Sequence, residues 1–432
     1  MKEKSPWAWV PTLYFAEGIP YVSVMTIAVI MFKRFGMSNT DIALYSSWLY
    51  LPWTIKFFWS PFVDLIKTKR WWVVTMQFIL GCCFGGVALS LPTPDWFQYS
   101  MLFFWLLAFG SATHDIAADG FYMLGLKDKD QAFFVGIRNT FYRIAMISGQ
   151  GLLIVFAGYL EEMPLPAWAA KVGNIPFAWS ATFLLLGIFF ILISFYHKLV
   201  LPKPAIDVTK DTVTAKNIFA EFGRTFLTFF KKKDIAMGLA FLLLYRFAEA
   251  QLLKLSSPFL LDPLEKGGLG LSTVDVGTIY GIVGVAALIL GGILGGILLA
   301  KDGLRKWLIP MALCLTLPNL TSVYFAYAQP ENLWIINAGI ALEQFGYGFG
   351  FTAYTVFMLQ FAKGLHQTAH YAFCTGFMAL GMMLPGMFAG LLQEWMGYQH
   401  FFLYIMACSL IPILVSWMLH KRLQDATVAT EA

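Results

Sequence analysis

The segment GMSNTDI at Gly36–Ile42 returns 234 residues later as GLSTVDV at Gly270–Val276. Two more short motifs repeat in the same order, with offsets of 232 and 236 residues. Three ordered matches at nearly one spacing are hard to obtain by chance, so we interpret the chain as an internal duplication. The other two motifs are FAE at Phe15–Glu17 and again at Phe247–Glu249, and KRW at Lys69–Trp71 with RKW at Arg305–Trp307.

The composition is typical of a membrane protein. Of the 432 residues, 59% are hydrophobic and 13% are charged, and the mean hydropathy is +0.67. A soluble domain carries about 25% charged residues. We therefore exclude a disordered chain, a collagen-like fibre, a nucleic-acid-binding module and an ordinary cytoplasmic enzyme. The net charge of +5 sits in loops, and the five cysteines lie inside apolar runs, where we interpret them as membrane-packing thiols.

Apolar stretches long enough to cross a bilayer recur along the chain. A spanning helix needs about 20 mostly apolar residues. The long connection 201–235 contains FAEFGRTFLTFF (Phe219–Phe230), which could form a short amphipathic helix on the membrane surface. This linker separates an N-terminal bundle, 1–200, from a C-terminal bundle, 236–432. The sequence predicts twelve spans, at 8–32, 41–63, 71–92, 97–124, 133–158, 177–200, 236–260, 273–299, 306–328, 333–360, 369–393 and 399–420.

The distribution of Lys and Arg predicts the orientation in the membrane. Of the 30 basic residues, 21 fall at the termini, in the linker, and in the loops that follow even-numbered spans or at the span ends that border these segments. Five lie inside spans, and four lie in the opposite loops: Lys33, Arg34, Lys171 and Lys266. Because positive loops stay cytoplasmic, we expect both termini to be cytoplasmic. The N-terminus enters the first apolar segment without a small-residue cleavage site, so we interpret that span as uncleaved.

An even number of spans per half gives both halves the same orientation. We therefore expect an all-α integral membrane protein of twelve transmembrane helices. Its two six-helix bundles should be related by a pseudo-two-fold axis along the membrane normal. This plan resembles that of the major facilitator superfamily, in which the substrate lies between the halves near mid-membrane. The stretch GGILGGIL at Gly291–Leu298 has the small-residue spacing that lets helices pack closely.

Matching loops of the two halves carry charges on the predicted cytoplasmic side. DLIKTKR (Asp64–Arg70) joins the second and third spans, and AKDGLRK (Ala300–Lys306) joins the eighth and ninth. Each places an acid at a helix end beside basic residues, as a charge-linked gate would need. The alternative is that these loops only set the topology. The predicted gate residues are Asp64, Lys69, Arg70, Asp302 and Arg305.

Asp115 and Asp119 form the sharpest pair of charges inside a span. They are four residues apart in SATHDIAADGF, so they share one face of a helix. Two such carboxylates repel each other and burial disfavours their charged form, so one could bind and release a proton near neutral pH. A charge at mid-bilayer costs at least about 2.5–3.5 kcal/mol, which favours a function over a structural ion pair with Arg138 or Arg143. The adjacent His114 could assist, or could simply bond to a neighbouring helix.

Other polar and aromatic side chains inside the spans are candidates for substrate binding. Glu17 and Glu249 occupy equivalent places in the two halves, which fits either function or shared scaffold. Lys56 could neutralise an anionic substrate or snorkel to the nearby interface, and Arg246 could simply neutralise Glu249. Aromatic rings of the second span could stack on sugars. The predicted substrate-binding candidates are Glu17, Lys56, Trp53, Tyr50, Arg138, Arg143, Glu249 and Glu343.

Several segments resemble those of the AmpG-type muropeptide permeases, in the peptide/acetyl-coenzyme A transporter branch of the major facilitator superfamily. In that family the two acids of the fourth span carry function, a role that falls by resemblance on Asp115 and Asp119. The resemblance implies proton-driven inward movement of cell-wall fragments, which are sugar-linked peptides with an anhydro-muramic acid. The segments are YFAEGIPY (Tyr14–Tyr21), LPWTIKFFWSPFVD (Leu51–Asp64), SATHDIAADGFY (Ser111–Tyr122), YRIAM (Tyr142–Met146) and TAHYAFCTGFMALG (Thr368–Gly381).

Two departures from the family pattern leave the substrate open. His114 stands where the bacterial permeases have Gln, and Gly120–Tyr122 follows the second acid where they have Arg. The substrate could therefore be a related amino sugar or oligosaccharide. We expect a proton-coupled importer of muropeptide or amino-sugar fragments that works by alternating access, as a monomer in a bacterial-type inner membrane.

Other functional classes fit the sequence less well. A transporter of another solute, such as an oligosaccharide, a siderophore or a coenzyme A ester, is the nearest alternative. An intramembrane enzyme is more distant, because the sequence has neither an H-E-x-x-H motif nor a Ser/His/Asp constellation. The expected partners are a small, sugar-containing substrate that could be anionic, protons and the lipid bilayer. The sequence indicates no catalytic residue, cofactor, metal site or nucleic-acid partner.

Overall fold

The computed structural model describes residues 5–126, 128–165, 169–205, 207, 215–364 and 367–431. Side chains are described for the same residues except 61, 64, 65, 128, 129, 131–133, 135, 136, 215–222, 367, 368 and 425–431. Regular structure in these ranges is helical throughout. The α-helices are α1 (Val10–Val22), α2 (Ala28–Arg34), α3 (Asn39–Trp48), α4 (Leu51–Ile55), α5 (Ser60–Leu65), α6 (Lys69–Ser90), α7 (Trp96–Gly125), α8 (Asp128–Ile147), α9 (Ile154–Glu162), α10 (Asn174–Val200), α11 (Ala215–Phe230), α12 (Ile235–Leu244), α13 (Phe247–Leu261), α14 (Thr273–Thr278), α15 (Val285–Thr316), α16 (Leu320–Ala328), α17 (Leu333–Ala362), α18 (Gln367–Cys408) and α19 (Leu410–Glu431).

The spans of the structure agree with those predicted from the sequence. Among the described residues, eight helices are long and apolar enough to cross a membrane. Two of these, Thr273–Ala328 and Ala369–Gln424, contain 56 residues each and turn sharply at Gly303 (φ 79°) and Gly397 (φ 75°). Each therefore supplies two predicted spans. The remaining two are α17 and the segment α3–α5, which breaks into short helices around Pro52 and the turns that flank it.

Three spans contain a π-helical turn that joins two α-helices. These turns widen the helix locally and leave backbone groups differently paired, and they are frequent at functional positions. The first connects α1, the helix that carries Glu17, to α2, and the second connects α8 to α9. The π-helical turns are Ser23–Ile27, Ser148–Leu153 and Ile279–Gly284.

The repeated motif of the two halves is a helix start. Gly36 (φ 82°) and Gly270 (φ 64°) adopt the left-handed conformation that glycine tolerates best. Two residues later, Ser38 and Ser272 cap α3 and α14 by accepting the backbone N–H of the aspartate three positions on. Such a cap stabilises a helix by about 1 kcal/mol. The duplication therefore preserves the residues that begin equivalent helices.

The chain folds into two compact units. The first unit comprises Met1–Phe35 and Ile55–Ile218, and the second comprises Gly36–Thr54 and Phe219–Ala432. In the first unit α6 packs between α7 and α10, and α1 packs on α8; in the second, α15 packs on α17 and α18 on α13. The segment Gly36–Thr54, which the sequence assigns to the first half, packs with the second unit through α3 and α18.

Close helix packing in the second unit depends on the glycines of GGILGGIL. A Cβ on Gly291 would lie 2.2 Å from the carbonyl oxygen of Phe345, and one on Gly295 would lie 3.0 Å from that of Phe349. Both distances are shorter than van der Waals contact, so α15 and α17 approach this closely only because these side chains are absent. The interpretation of this stretch as a packing surface agrees with the structure.

The predicted amphipathic segment of the linker is helical. It forms α11, whose Phe229 is fully buried. The ring of Phe229 contacts those of Phe361, Phe373 and Phe377, with centroids 5.4–6.0 Å apart. The apolar face of α11 therefore packs on α17 and α18 of the second unit.

Candidate functional site

The two acids of the fourth span each have a basic partner within the first unit. Asp115 and Asp119 lie one turn apart on α7, as predicted. The Nζ of Lys56 lies 3.8 Å from Oδ2 of Asp115, and a guanidinium nitrogen of Arg138 lies 2.9 Å from Oδ1 of Asp119. The structure thus brings four of the predicted residues together as two neighbouring ion pairs.

Arg138 is held by aromatic rings as well as by its carboxylate. Its guanidinium carbon lies 4.4 Å from the ring centroid of Tyr14 and 5.2 Å from that of Tyr122. The hydroxyl of Tyr14 also donates a hydrogen bond to Asp119, at 3.2 Å. Stacking of this kind adds about 0.5–2 kcal/mol to the placement of a cation. The sequence did not indicate Tyr14 as a site residue, although it lies within the segment YFAEGIPY.

These ion pairs include the structural contact that the sequence left open for Arg138, yet they are not sealed from their surroundings. The side chain of Asp119 is 47% exposed and that of Arg138 is 26% exposed. Lys56 is 28% exposed. The ion pair of Asp119 with Arg138 is therefore only partly covered by the rest of the protein.

Glu17 and Arg143 differ in their environments. Glu17 on α1 is 8% exposed, and its Oε2 accepts no hydrogen bond from a described residue. Such an atom is costly to bury when ionised, and it is free to bind a proton donor. Arg143 on α8 is exposed, and no hydrogen bond or ion pair joins it to a described residue. The structure therefore does not bring Arg143 to the acids.

His114 belongs to a chain of buried polar groups that links four helices. Nε2 of Gln77 donates to Nε2 of His114 at 3.0 Å, and Oε1 of Gln77 accepts from Nδ1 of His197 at 2.8 Å. The hydroxyl of Thr12 lies 2.9 Å from Nε2 of His197. The contact with a neighbouring helix, one of the two interpretations of His114, is thus present. Nδ1 of His114 remains without a hydrogen-bond partner among the described residues.

The acids of the second unit are arranged differently. Glu249 accepts two hydrogen bonds from the guanidinium of Arg246, at 2.7 and 3.0 Å, which neutralises both charges as the spacing predicted. Arg246 also lies over the rings of Tyr347 and Phe351. Glu343 on α17 is buried, and its Oε2 accepts no hydrogen bond from a described residue.

The predicted gate residues are divided between the two units. In the first unit, the backbone N–H groups of Lys69 and Arg70 donate to the carboxylate of Asp207, at 2.8 and 3.1 Å. The Asp207 carboxylate therefore caps α6, which the sequence did not predict. The side chain of Asp64 lies outside the described residues.

In the second unit, Asp302 of the predicted gate contacts residues that follow it closely in the chain. The indole N–H of Trp307 donates to Asp302 at 2.9 Å, and Lys306 forms an ion pair with Asp302 at 3.1 Å. The backbone oxygen of Arg305 accepts a hydrogen bond from His420 at 2.9 Å. The gate function of these residues stays a prediction.

The two aromatic candidates of the second span lie in the second unit. Trp53 is buried, and the ring of Tyr50 faces the ammonium group of Lys254 on α13, with 4.7 Å from Nζ to the ring centroid. The sequence did not indicate Lys254 as a site residue. The described residues contain no cluster of three or more His, Cys, Asp or Glu side chains with the geometry of a metal site.

Comparisons with known proteins identify the family to which this helical architecture belongs. The family model of the Major Facilitator Superfamily matches residues 12–363. A Rickettsia conorii protein that carries the name transporter AmpG 4 is 24% identical over 422 residues, covering 95% of each chain. The anhydromuropeptide permease of Escherichia coli is 21% identical over 427 residues, covering 96% of this chain and 79% of its own. These relatives support the resemblance to AmpG-type permeases.

Solved structures with low sequence identity have the same fold. The nucleoside transporter NupG superposes with a TM-score of 0.68 at 14% identity, covering 96% of this chain and 100% of its own. The D-xylose-proton symporter superposes with a TM-score of 0.66 at 13% identity, covering 95% of this chain and 96% of its own. The all-helical architecture and the family match agree that this is a multi-pass membrane transporter and not an enzyme. The chain belongs to the major facilitator superfamily.

Proposed function

We propose that this secondary transporter couples proton entry to the import of cell-wall-derived muropeptide or amino-sugar fragments. The observation that carries the proposal is the ion pair between Asp119 and Arg138, in which a half-exposed carboxylate faces a cation held by two tyrosine rings. A proton on Asp119 removes its negative charge, and the attraction to Arg138 is lost with it. The guanidinium then becomes available to a carboxylate of the substrate.

The direction of transport follows from the proton gradient. In the outward-open state a proton binds Asp115 or Asp119 and substrate enters. Neutralisation of the acid removes a charge that disfavours closure in a low-dielectric site. The two halves then rearrange so that the central site opens to the cytoplasm instead of the outside. The lower proton activity of the cytoplasm releases the proton and the substrate. Asp115 with Lys56 forms the second ion pair of the same kind.

The substrate part of the proposal draws on the relatives. The anhydromuropeptide permease of Escherichia coli aligns over 96% of this chain. Fragments of this class combine sugar rings with peptide carboxylates, which aromatic and basic side chains can recognise. We place the transporter in a bacterial inner membrane, as a monomer with both termini in the cytoplasm.

The test is uptake of a labelled anhydromuropeptide into proteoliposomes with an imposed pH gradient. The wild type should concentrate the solute when the outside is acidic. Asp119→Asn should abolish concentrative uptake and retain exchange of solute at equal pH, because asparagine cannot carry a proton but preserves the size of the side chain. The control is Asp95→Asn, an exposed acid at the start of the same helix. Normal pH-driven accumulation by Asp119→Asn would contradict the assigned role.

A further inference from the structure

A buried lysine of the second unit has no acidic partner among the described residues. Lys254 on α13 is 4% exposed. Its Nζ donates to the hydroxyl of Ser46 at 3.0 Å and lies 4.7 Å from the ring centroid of Tyr50. An ammonium group has three N–H donors, so one hydroxyl and one ring face leave it incompletely satisfied. A charge buried inside a membrane span normally marks a ligand site.

The other buried base of the same span is a useful contrast. Arg246 precedes Lys254 by two turns and is bound through two hydrogen bonds to Glu249. Its charge is cancelled within the helix, so no ligand is required there. Lys254 lies seven residues before the end of α13 at Leu261, and its Nζ bonds to Ser46 instead of reaching an interface. Snorkelling therefore does not account for it.

The groups around Lys254 are small and polar. Ser47 is fully buried, and its Oγ has no hydrogen-bond partner among the described residues. Gly386 on α18 faces both side chains. A Cβ at that position would lie 2.9 Å from Oγ of Ser47 and 3.3 Å from Cε of Lys254. The lysine, the two hydroxyls and the glycine that packs against them thus come from three helices.

We propose that Lys254, Ser46 and Ser47 form an anion-binding subsite that receives a carboxylate of the transported solute. The carboxylate accepts hydrogen bonds from the ammonium group of Lys254 and from both serine hydroxyls. It therefore gives Lys254 a further acceptor and gives the Ser47 hydroxyl a hydrogen-bond partner. This inference rests on the proposed function, because it names the part of the substrate that the second unit recognises. It is separate from the acids of the first unit.

Entry of a solute requires α3 to move away from α13. Both serines lie on α3, and the chain continues from both ends of Gly36–Thr54 into residues of the first unit. Separation of α3 from α13 would uncover the ammonium group of Lys254 for the anion. In the covered state, Ser46 and Tyr50 take the place of the anion at the ammonium group.

The experiment compares acids with their neutral amides in proteoliposomes. The probes are an anhydromuropeptide and its carboxamide, and glucuronate and glucuronamide. Lys254→Gln should raise KM for an acid about tenfold and leave KM for its amide within about twofold. Ser47→Ala should also raise KM for the acid, but by a smaller factor. The control is Lys266→Gln, which removes an exposed lysine of the same unit. If Lys254→Gln fails to fold, Gly386→Ala, which narrows the space beside Lys254, should raise KM for the acid selectively.

Each outcome separates this inference from the proposed function. If Lys254→Gln no longer prefers the anhydromuropeptide to its carboxamide, the result supports both the subsite and the proposed function. If muropeptide is taken up and Lys254→Gln changes KM equally for the acid and the amide, the subsite is overturned and the proposed function remains. Uptake of glucuronate only, with an acid preference that depends on Lys254, overturns the muropeptide substrate and supports the subsite. A wild type that favours the amides, or that takes up none of the four probes, overturns the subsite and the proposed substrate together.

Discussion

At the scale of single residues, the Glu161 carboxylate at the end of α9 binds side chains from two other helices. Its side chain is 5% exposed. The single Nε–H of Arg34 is shared between both carboxylate oxygens of Glu161, at 3.0 and 3.2 Å, and the indole N–H of Trp179 donates to Oε1 at 2.8 Å. Charge-assisted bonds of this kind are roughly twice as strong as neutral ones. From the sequence, Arg34 is identified only as a basic residue of a predicted loop.

Glu161→Ala should destabilise the first unit by roughly 2 kcal/mol, because Arg34 and Trp179 lose their shared acceptor. In a unit of this size the loss lowers Tm by about 5 °C. Thermal unfolding in detergent measures the change. The matched control is Glu162→Ala, since Glu162 is exposed and adjacent in the chain. Equal Tm values for the two variants would mean that the Glu161 contacts do not contribute to stability.

At the scale of elements, the packing of α3 on α18 is the contact that assigns Gly36–Thr54 to the second unit. The Asn39 amide donates to Gln393 at 2.6 Å and to the Tyr398 hydroxyl at 2.8 Å. That hydroxyl donates to Asp262 at 2.7 Å, so a buried polar network joins three segments of the unit. Such networks specify one arrangement when every member is satisfied.

Gly390→Ala should weaken the packing of α3 on α18. A Cβ at this position would lie 1.9 Å from the backbone oxygen of Asn39, and backbone cannot move aside cheaply. We expect a cost of about 1–3 kcal/mol from the overpacking. The control is Gly296→Ala, where a Cβ meets nothing within 4 Å.

The measurement is crosslinking by a short bifunctional thiol reagent between cysteines at Thr40 and Glu394, whose Oγ1 and Oε2 atoms are 2.6 Å apart. Gly390→Ala should lower the yield of this crosslink, and Gly296→Ala should not. An unchanged yield in Gly390→Ala would show that α3 tolerates the extra methyl group.

At the scale of the whole molecule, the distribution of basic residues predicts which loops face the cytoplasm. Lys266 lies in one of the loops with few basic residues, whereas Lys301 lies in a basic loop of the same unit. Both side chains are exposed. They therefore make a matched pair for testing the predicted orientation, because the positive-inside preference acts on short loops of this kind.

Lys266→Cys should react in intact cells with a membrane-impermeant maleimide, and Lys301→Cys should react only after the membrane is opened. Both variants are made in a background without the five native cysteines. The expected result places the termini in the cytoplasm. The reverse pattern would invert the topology and, with it, the direction of the proposed import.

The number of spans, the duplication and the family resemblance could be predicted from the sequence alone. These are local properties, since the thickness of the bilayer sets the length of each apolar run and a repeated helix start such as GMSNTDI needs only its own residues. The acids at 115 and 119 were also found locally, because four residues make about one helical turn.

The contacts between side chains of different helices could be read only from the folded protein. It paired Asp119 with Arg138, joined His114 to Gln77, and placed Lys254 beside Ser46. Spans that are apolar on all sides carry no periodic signal of which face turns inward. Contacts between residues far apart in the chain, such as the 208 positions between Ser46 and Lys254, depend on how the helices pack.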